Sequence, residues 1–165
     1  MNPNDQESTR YLIIDGHSLI YTWDYLHKLH KSSKTSAREN LIRRLTNYQD
    51  ITGERVVIVF DGRGPTSESI NDEYGIQIFY SKSGTTADQI IERLAGKYSK
   101  NRKITVASRD RAVLDTCSSF GADAISPKTL EELLEQAERD LRKSCLLYTS
   151  PSPRDRTRSR MPSSA

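Results

Sequence analysis

Cysteine is almost missing from this chain of 165 residues: there are two, and Cys145 lies in the final stretch. Cys117 alone in the body leaves no basis for a disulfide framework or a cysteine-ligated zinc site. Long apolar runs are missing too. The longest, Val56 to Phe60, falls far short of the roughly 20 residues that cross a bilayer, so no membrane association is expected. The opening Met1-Asn2-Pro3-Asn4-Asp5-Gln6-Glu7 has neither the cationic start nor the apolar stretch of a secretory signal, which points to the cytoplasm. No Gly-x-x-x-x-Gly-Lys-Ser/Thr phosphate loop occurs, and no Gly-x-Ser-x-Gly nucleophile elbow. The three histidines, His17, His27 and His30, all fall in one segment. His27 and His30 are expected on a helix surface, whereas His17 is close enough to Asp15 to line a pocket.

An excess of one charge is also missing from the body. The net charge of +3 comes from Arg154, Arg156, Arg158 and Arg160 near the carboxyl terminus, set against Asp155. Without residues 144–165 the acids and bases balance, so any nucleic-acid argument must come from a local site. Residues 144–165 hold three of the six prolines and show no helical or strand period. They resemble translated adaptor sequence. The expected domain is therefore 10–143, followed by a disordered, non-native tail; the alternative is a genuine Arg/Ser/Pro tail that touches RNA phosphates.

What is present is an alternation of short apolar runs with amphipathic stretches, the pattern of an α/β fold with a central parallel sheet and helices on both faces. The sequence offers about five strands: Tyr11 to Ile14, Val56 to Phe60, Ile76 to Tyr80, Ile104 to Ala107 and Ala122 to Ile125. Helices are expected from His17 to His30, from Ser36 with Leu41, Leu45 and Tyr48 inward, and from Thr86 with Ile90, Ile91, Leu94 and Tyr98 inward. Another opens at Ser126-Pro127, with a stripe of Leu130, Leu133, Leu134, Ala137 and Leu141.

Two strands end alike, in Ile14-Asp15-Gly16 and Phe60-Asp61-Gly62. Ser108-Arg109-Asp110 follows a third, and Asp88 opens the helix after another. In an open parallel sheet these carboxylates converge on the rim where ligands bind. Each taken singly is explained by helix capping. Together they would repel one another unless a cation lay among them, and an oxygen-only donor set suits Mg²⁺ or Mn²⁺. Such a site hydrolyses phosphate esters. Arg63, Lys82, Arg109 and Arg111 are candidates to receive the substrate's phosphates, and Glu92, one helical turn after Asp88, could face the same site.

The stretches Tyr11 to Ser18, Val56 to Gly62, Thr85 to Glu92 and Thr105 to Arg111 resemble, in order, the motifs of the YacP-like NYN domains, bacterial relatives of the PIN-domain nucleases. The likeness runs from about Arg10 to Lys143. It implies a Rossmann-like PIN/NYN fold and a metal-dependent endoribonuclease acting on RNA, including messenger RNA on ribosomes. It also implies Asp15, Asp61, Asp88 and Asp110 as catalytic metal ligands. On the present reading of the sequence Arg63, Lys82, Ser108, Arg109 and Arg111 are expected to contact substrate, with His17, Ser18 and Glu92 behind the acids. Two positions depart from the motifs. His17-Ser18 replaces the usual Tyr-Asn, and Arg109 separates Ser108 from Asp110. Other readings of the same residues are a non-catalytic RNA- or ribosome-binding module and a small-molecule phosphohydrolase.

Overall fold

The computed structural model describes residues 9–62, 69–71, 75–81 and 84–149. In chain order the elements are β1 (Arg10–Asp15), α1 (Gly16–Thr22), α2 (Asp24–Ser32), α3 (Lys34–Thr52), β2 (Arg55–Phe60) and β3 (Ser69–Asn71). They continue with β4 (Gln77–Tyr80), α4 (Ala87–Tyr98), β5 (Lys103–Ala107), α5 (Arg111–Ser119), β6 (Asp123–Ile125) and α6 (Pro127–Thr149). One six-stranded sheet has the order β3-β4-β2-β1-β5-β6. Four of its five pairings are parallel and join β4, β2, β1, β5 and β6, and the fifth sets β3, on the edge, antiparallel to β4.

Continuous apolar runs form the inner strands because both faces are covered. Side chains alternate across the sheet. Leu12, Ile14, Val56, Ile58 and Phe60 meet Leu19, Ile20, Leu41, Leu45, Leu130 and Leu134 on one face. Ile13, Val57, Val59, Ile104 and Val106 meet Ile91, Ala95, Val113 and Cys117 on the other. After β1 the chain winds through β2 to β4 on one side, then crosses to β5 and β6 on the other. The winding reverses between β1 and β5. A crevice opens there, at the carboxyl ends of the strands.

The five parallel strands are those expected from the sequence, and β3 is an addition. Four helix details differ from expectation. The stretch from His17 to His30 is two helices broken at Trp23, whose backbone is extended (φ −82°, ψ 115°) and whose indole, 1% exposed, donates to the Pro127 carbonyl at 3.0 Å. The α3 helix begins at Ser33, whose hydroxyl accepts from Ser36 N, so Ser36 is a capped residue and not the cap. Thr86 and Gln89 do form the expected reciprocal capping box, and Ser126 accepts from Thr129 N at the start of α6. Leu133 and Leu141 are each 45% exposed, while Leu130 and Leu134 are fully buried, so the α6 stripe is narrower than expected.

The fourth difference is at the end of α6. The helix continues through Thr149, six residues past the expected domain boundary at Lys143, where a tail without helical period is expected. Nothing from Ser144 to Thr149 breaks a helix, and Pro151 is the first residue that disfavours helical backbone before it. Residues 150–165, with the tail arginines, lie outside the described residues. No helix among the described residues is long and apolar enough to cross a membrane. Leu134→Ala should destabilise the domain by about 2–5 kcal/mol, and Leu133→Ala by a few tenths. Equal shifts of the two denaturation midpoints would contradict this docking of α6.

Candidate active site

Four carboxylates from four segments border one open cleft of about 480 Å³ at the β1/β5 crevice: Asp15, Asp61, Asp88 and Asp110, with His17, Ser18, Tyr21, Gly62 and Arg109. Asp15 ends β1 in register with Val59, which sets Asp61 two residues further along the neighbouring strand's path. Asp110 caps α5, and Asp88 sits in the first turn of α4. The cleft thus draws on both sides of the switch point.

Hydrogen bonds fix three of these carboxylates. Asp15, 8% exposed, accepts from Ser18 N through Oδ1 at 3.4 Å and from the Ser18 hydroxyl through Oδ2 at 2.9 Å. The Ser108 hydroxyl approaches the same Oδ2 at 3.4 Å. Asp61 Oδ1 accepts from Ala87 N at 2.7 Å and from the Ser81 hydroxyl at 3.2 Å, tying β2 to the start of α4. Asp110 Oδ1 accepts from Ala112 N at 3.0 Å. Capping therefore uses one oxygen of Asp61 and one of Asp110. Their Oδ2 atoms accept nothing from the described residues.

Asp88 shows what this arrangement costs. Burial first, then the charges of Asp15, Asp110, Asp61 and Glu92, push its carboxyl from the ordinary 3.8 up to about 6. Folding thus favours a protonated Asp88, and the sign of the linkage follows: metal-free protein should lose stability as pH rises from about 4 through about 6. Asp88→Asn should remove that part of the pH dependence and be at least as stable as the parent at pH 7.5. Urea titrations in chelator at several pH values check it, and an unchanged slope would refute the coupling.

Among the described residues no three His, Cys, Asp or Glu side chains close into a ready-made metal cage. The donors nevertheless fit Mg²⁺ or Mn²⁺. Mg²⁺ typically keeps several waters and binds through one or two carboxylates together with substrate phosphate oxygens, and these acids surround a cleft with room for both.

The remaining expected residues divide. Arg109 is exposed on the rim, with its guanidinium 5.0 Å from the Tyr21 ring centroid. His17 Nε2 donates to the Asp61 carbonyl at 3.1 Å and packs edge-on against Phe60, so it braces the Asp61 turn. Ser18, where the related motif has Asn, donates to Asp15 and accepts from Arg109 N at 3.1 Å, stitching the β1 turn to the β5 turn. Ser108 is a correction. It is fully buried, its hydroxyl accepting from Asp110 N at 3.1 Å, so it positions the acids and cannot touch substrate. Arg111 lies outside the cleft, exposed and 4.0 Å from Asp115. Glu92 is half-buried behind Asp88 and acts on it through charge. Arg63 and Lys82 lie outside the described residues.

Gly16 is needed where it stands, since a Cβ there would lie 2.3 Å from the Phe60 ring. Two contributors escaped sequence reasoning. Ser81 supports Asp61 and accepts from Gly62 N at 3.0 Å, as Ser108 supports Asp15. A serine directly after each of the two strands, at Tyr80-Ser81 and Ala107-Ser108, was the available signal. Tyr21 is the other, and nothing in its helical surroundings marked it.

Residues 12–164 match the family model for the YacP-like NYN domain. The protein YacP of Bacillus subtilis (strain 168) is 32% identical over 149 residues, covering 86% of this chain and 85% of its own length. Crystal structures of Rae1 (YacP) from Bacillus subtilis are similar to this fold. A point mutant gives a TM-score of 0.73 at 30% identity, over 87% of this chain and 85% of that one. A second crystal structure of Rae1 (YacP) gives 0.71 at 29% identity, over 87% and 83%.

Proposed function

Because the chain belongs to the YacP-like NYN domain family, we propose that it is a metal-dependent endoribonuclease that hydrolyses phosphodiester bonds in RNA. The observation that carries this reading is the convergence of Asp15, Asp61, Asp88 and Asp110 on one cleft at the switch point of the sheet. These four would hold Mg²⁺ or Mn²⁺. When bound, the ion supplies polarisation of a phosphoryl oxygen and a bound water of lowered pKa.

The chain's own residues do the rest. Ser18, Ser81 and Ser108 hold Asp15 and Asp61 in fixed orientations, so the donor set needs little rearrangement before reaction. Asp88 must give up its proton to join them, which ties assembly of the site to pH. Arg109, exposed on the rim, would take a phosphate of the strand, with Arg63 and Lys82 assigned the same task. Hydrolysis would leave a 5′-phosphate and a 3′-hydroxyl. The same reading takes the protein as cytoplasmic, and messenger RNA on the ribosome is the specific target this family likeness favours.

One feature favours a polymer over a small phosphate ester. Asp61, Gly62, Arg109, Asp110 and Tyr21 are all exposed along the cleft, so among the described residues no wall encloses a small substrate. A circular single-stranded RNA tests the assignment, since only an endonuclease opens it. Linearisation that requires Mg²⁺ or Mn²⁺ is expected. Binding without linearisation would favour a non-catalytic module, and turnover of mononucleotide phosphates alone would favour a small-molecule phosphohydrolase.

A further inference from the structure

Beside the acidic cleft the chain's three imidazoles gather around one phenol. Tyr21, near the end of α1, is 43% exposed and belongs to neither core cluster. The His27 and His30 rings meet it edge-on at 5.8 and 5.7 Å between centroids, and His17 lies at 6.3 Å. Arg109 covers it at 5.0 Å, and both Tyr21 and Arg109 line the cleft that holds Asp15 and Asp110.

The surroundings are cationic. Burial first, then Lys34, His17, Arg38 and His27, hold the His30 imidazole below its ordinary pKa. Arg38 in turn lies over Phe60 and Tyr80, at 5.6 and 5.8 Å from their ring centroids. A basic, aromatic surface therefore adjoins an acidic cleft. The Tyr21 ring stays exposed at the cleft with a guanidinium on its face.

We propose that Tyr21, braced by Arg109, is a nucleobase platform for single-stranded RNA beside the scissile phosphate, and that Lys34 and Arg38, together with Arg109, receive the neighbouring phosphates. Rings and guanidinium planes stack any base, while cations follow the backbone. The platform would hold the strand independently of its sequence. This inference rests on the nuclease reading of the cleft, so its test must separate the two.

Binding of a fluorescein-labelled single-stranded RNA to the full chain, measured by anisotropy in EDTA, removes catalysis from the comparison. Tyr21→Ala should bind about tenfold more weakly, and Tyr21→Phe should bind like the parent. Abasic RNA should weaken the parent by a similar factor and leave Tyr21→Ala unaffected, which a merely misfolded variant would not reproduce. With metal added, Tyr21→Ala should raise KM more than it lowers kcat. Parent-like binding by Tyr21→Ala, or no preference of the parent for RNA with bases, overturns the platform even if the parent cleaves RNA. A platform that passes these tests on a protein that cleaves nothing stands by itself, and the nuclease reading then falls.

Discussion

Asp61→Asn should lower metal-dependent RNA cleavage by roughly a hundredfold or more while leaving the metal-free protein as stable as the parent. The substitution is isosteric. Its amide oxygen can still accept from Ala87 N and Ser81, the two bonds that Asp61 Oδ1 makes, so the α4 start stays tethered. What disappears is one negative charge among four carboxylates whose mutual repulsion already raises the Asp88 pKa. Removing it relieves strain in the unloaded site and weakens the attraction for a divalent ion. Melts in chelator and in added Mn²⁺ should therefore show a metal-induced rise for the parent and a much smaller one for Asp61→Asn. If the acids served only as caps, the variant would keep whatever activity the parent has and would show the parent's response to metal.

Trp23→Ala should cost about 3–5 kcal/mol, the largest stability loss of any single substitution considered for this chain. The side chain is 1% exposed and sits where three helices meet. Its indole N–H satisfies the Pro127 carbonyl at the start of α6, and its ring stacks on Tyr25 with centroids 6.3 Å apart. Arg44 from α3 lies over the ring at 5.2 Å and makes two 3.1 Å bonds to Glu138 of α6. Truncation would leave a large cavity and an arginine without its platform. Trp23→Phe keeps part of the ring and should lose about half as much. Chemical denaturation of both variants decides it, and an alanine variant within about 1 kcal/mol of the parent would refute this account of the junction.

Those two residues also show what the sequence made legible. Asp61 could be found because an apolar run ending in Asp-Gly can be recognised without knowing its neighbours, and parallel topology then brings such ends to one edge. The inner strands were legible for a related reason, since burial on both faces demands unbroken apolar runs. The three-residue β3, with only Ile70 apolar, leaves no such trace. The break at Trp23 was hidden because Leu19, Ile20, Trp23 and Leu26 continue a helical period; the extended backbone comes from tertiary demands on a ring that must reach Pro127. Leu133 and Leu134 are adjacent on one helix, so only contacts with the sheet could say which faces inward. Ser108 and Arg109 are likewise neighbours with opposite fates, one buried beneath the acids and one on the rim, and the polar character of both concealed the difference. Tyr21 depends on residues distant in sequence, above all Arg109, and became visible only with the fold.

The most direct measurement is the cleavage of end-labelled single-stranded RNA by the purified chain in EDTA and across increasing Mn²⁺ or Mg²⁺, with the new ends identified chemically. A carboxylate-held metal site predicts internal cuts that appear only with the divalent ion and leave 5′-phosphate and 3′-hydroxyl ends. Cuts that persist in EDTA and end in a 2′,3′-cyclic phosphate, or folded protein that cuts no RNA with either metal, would contradict it.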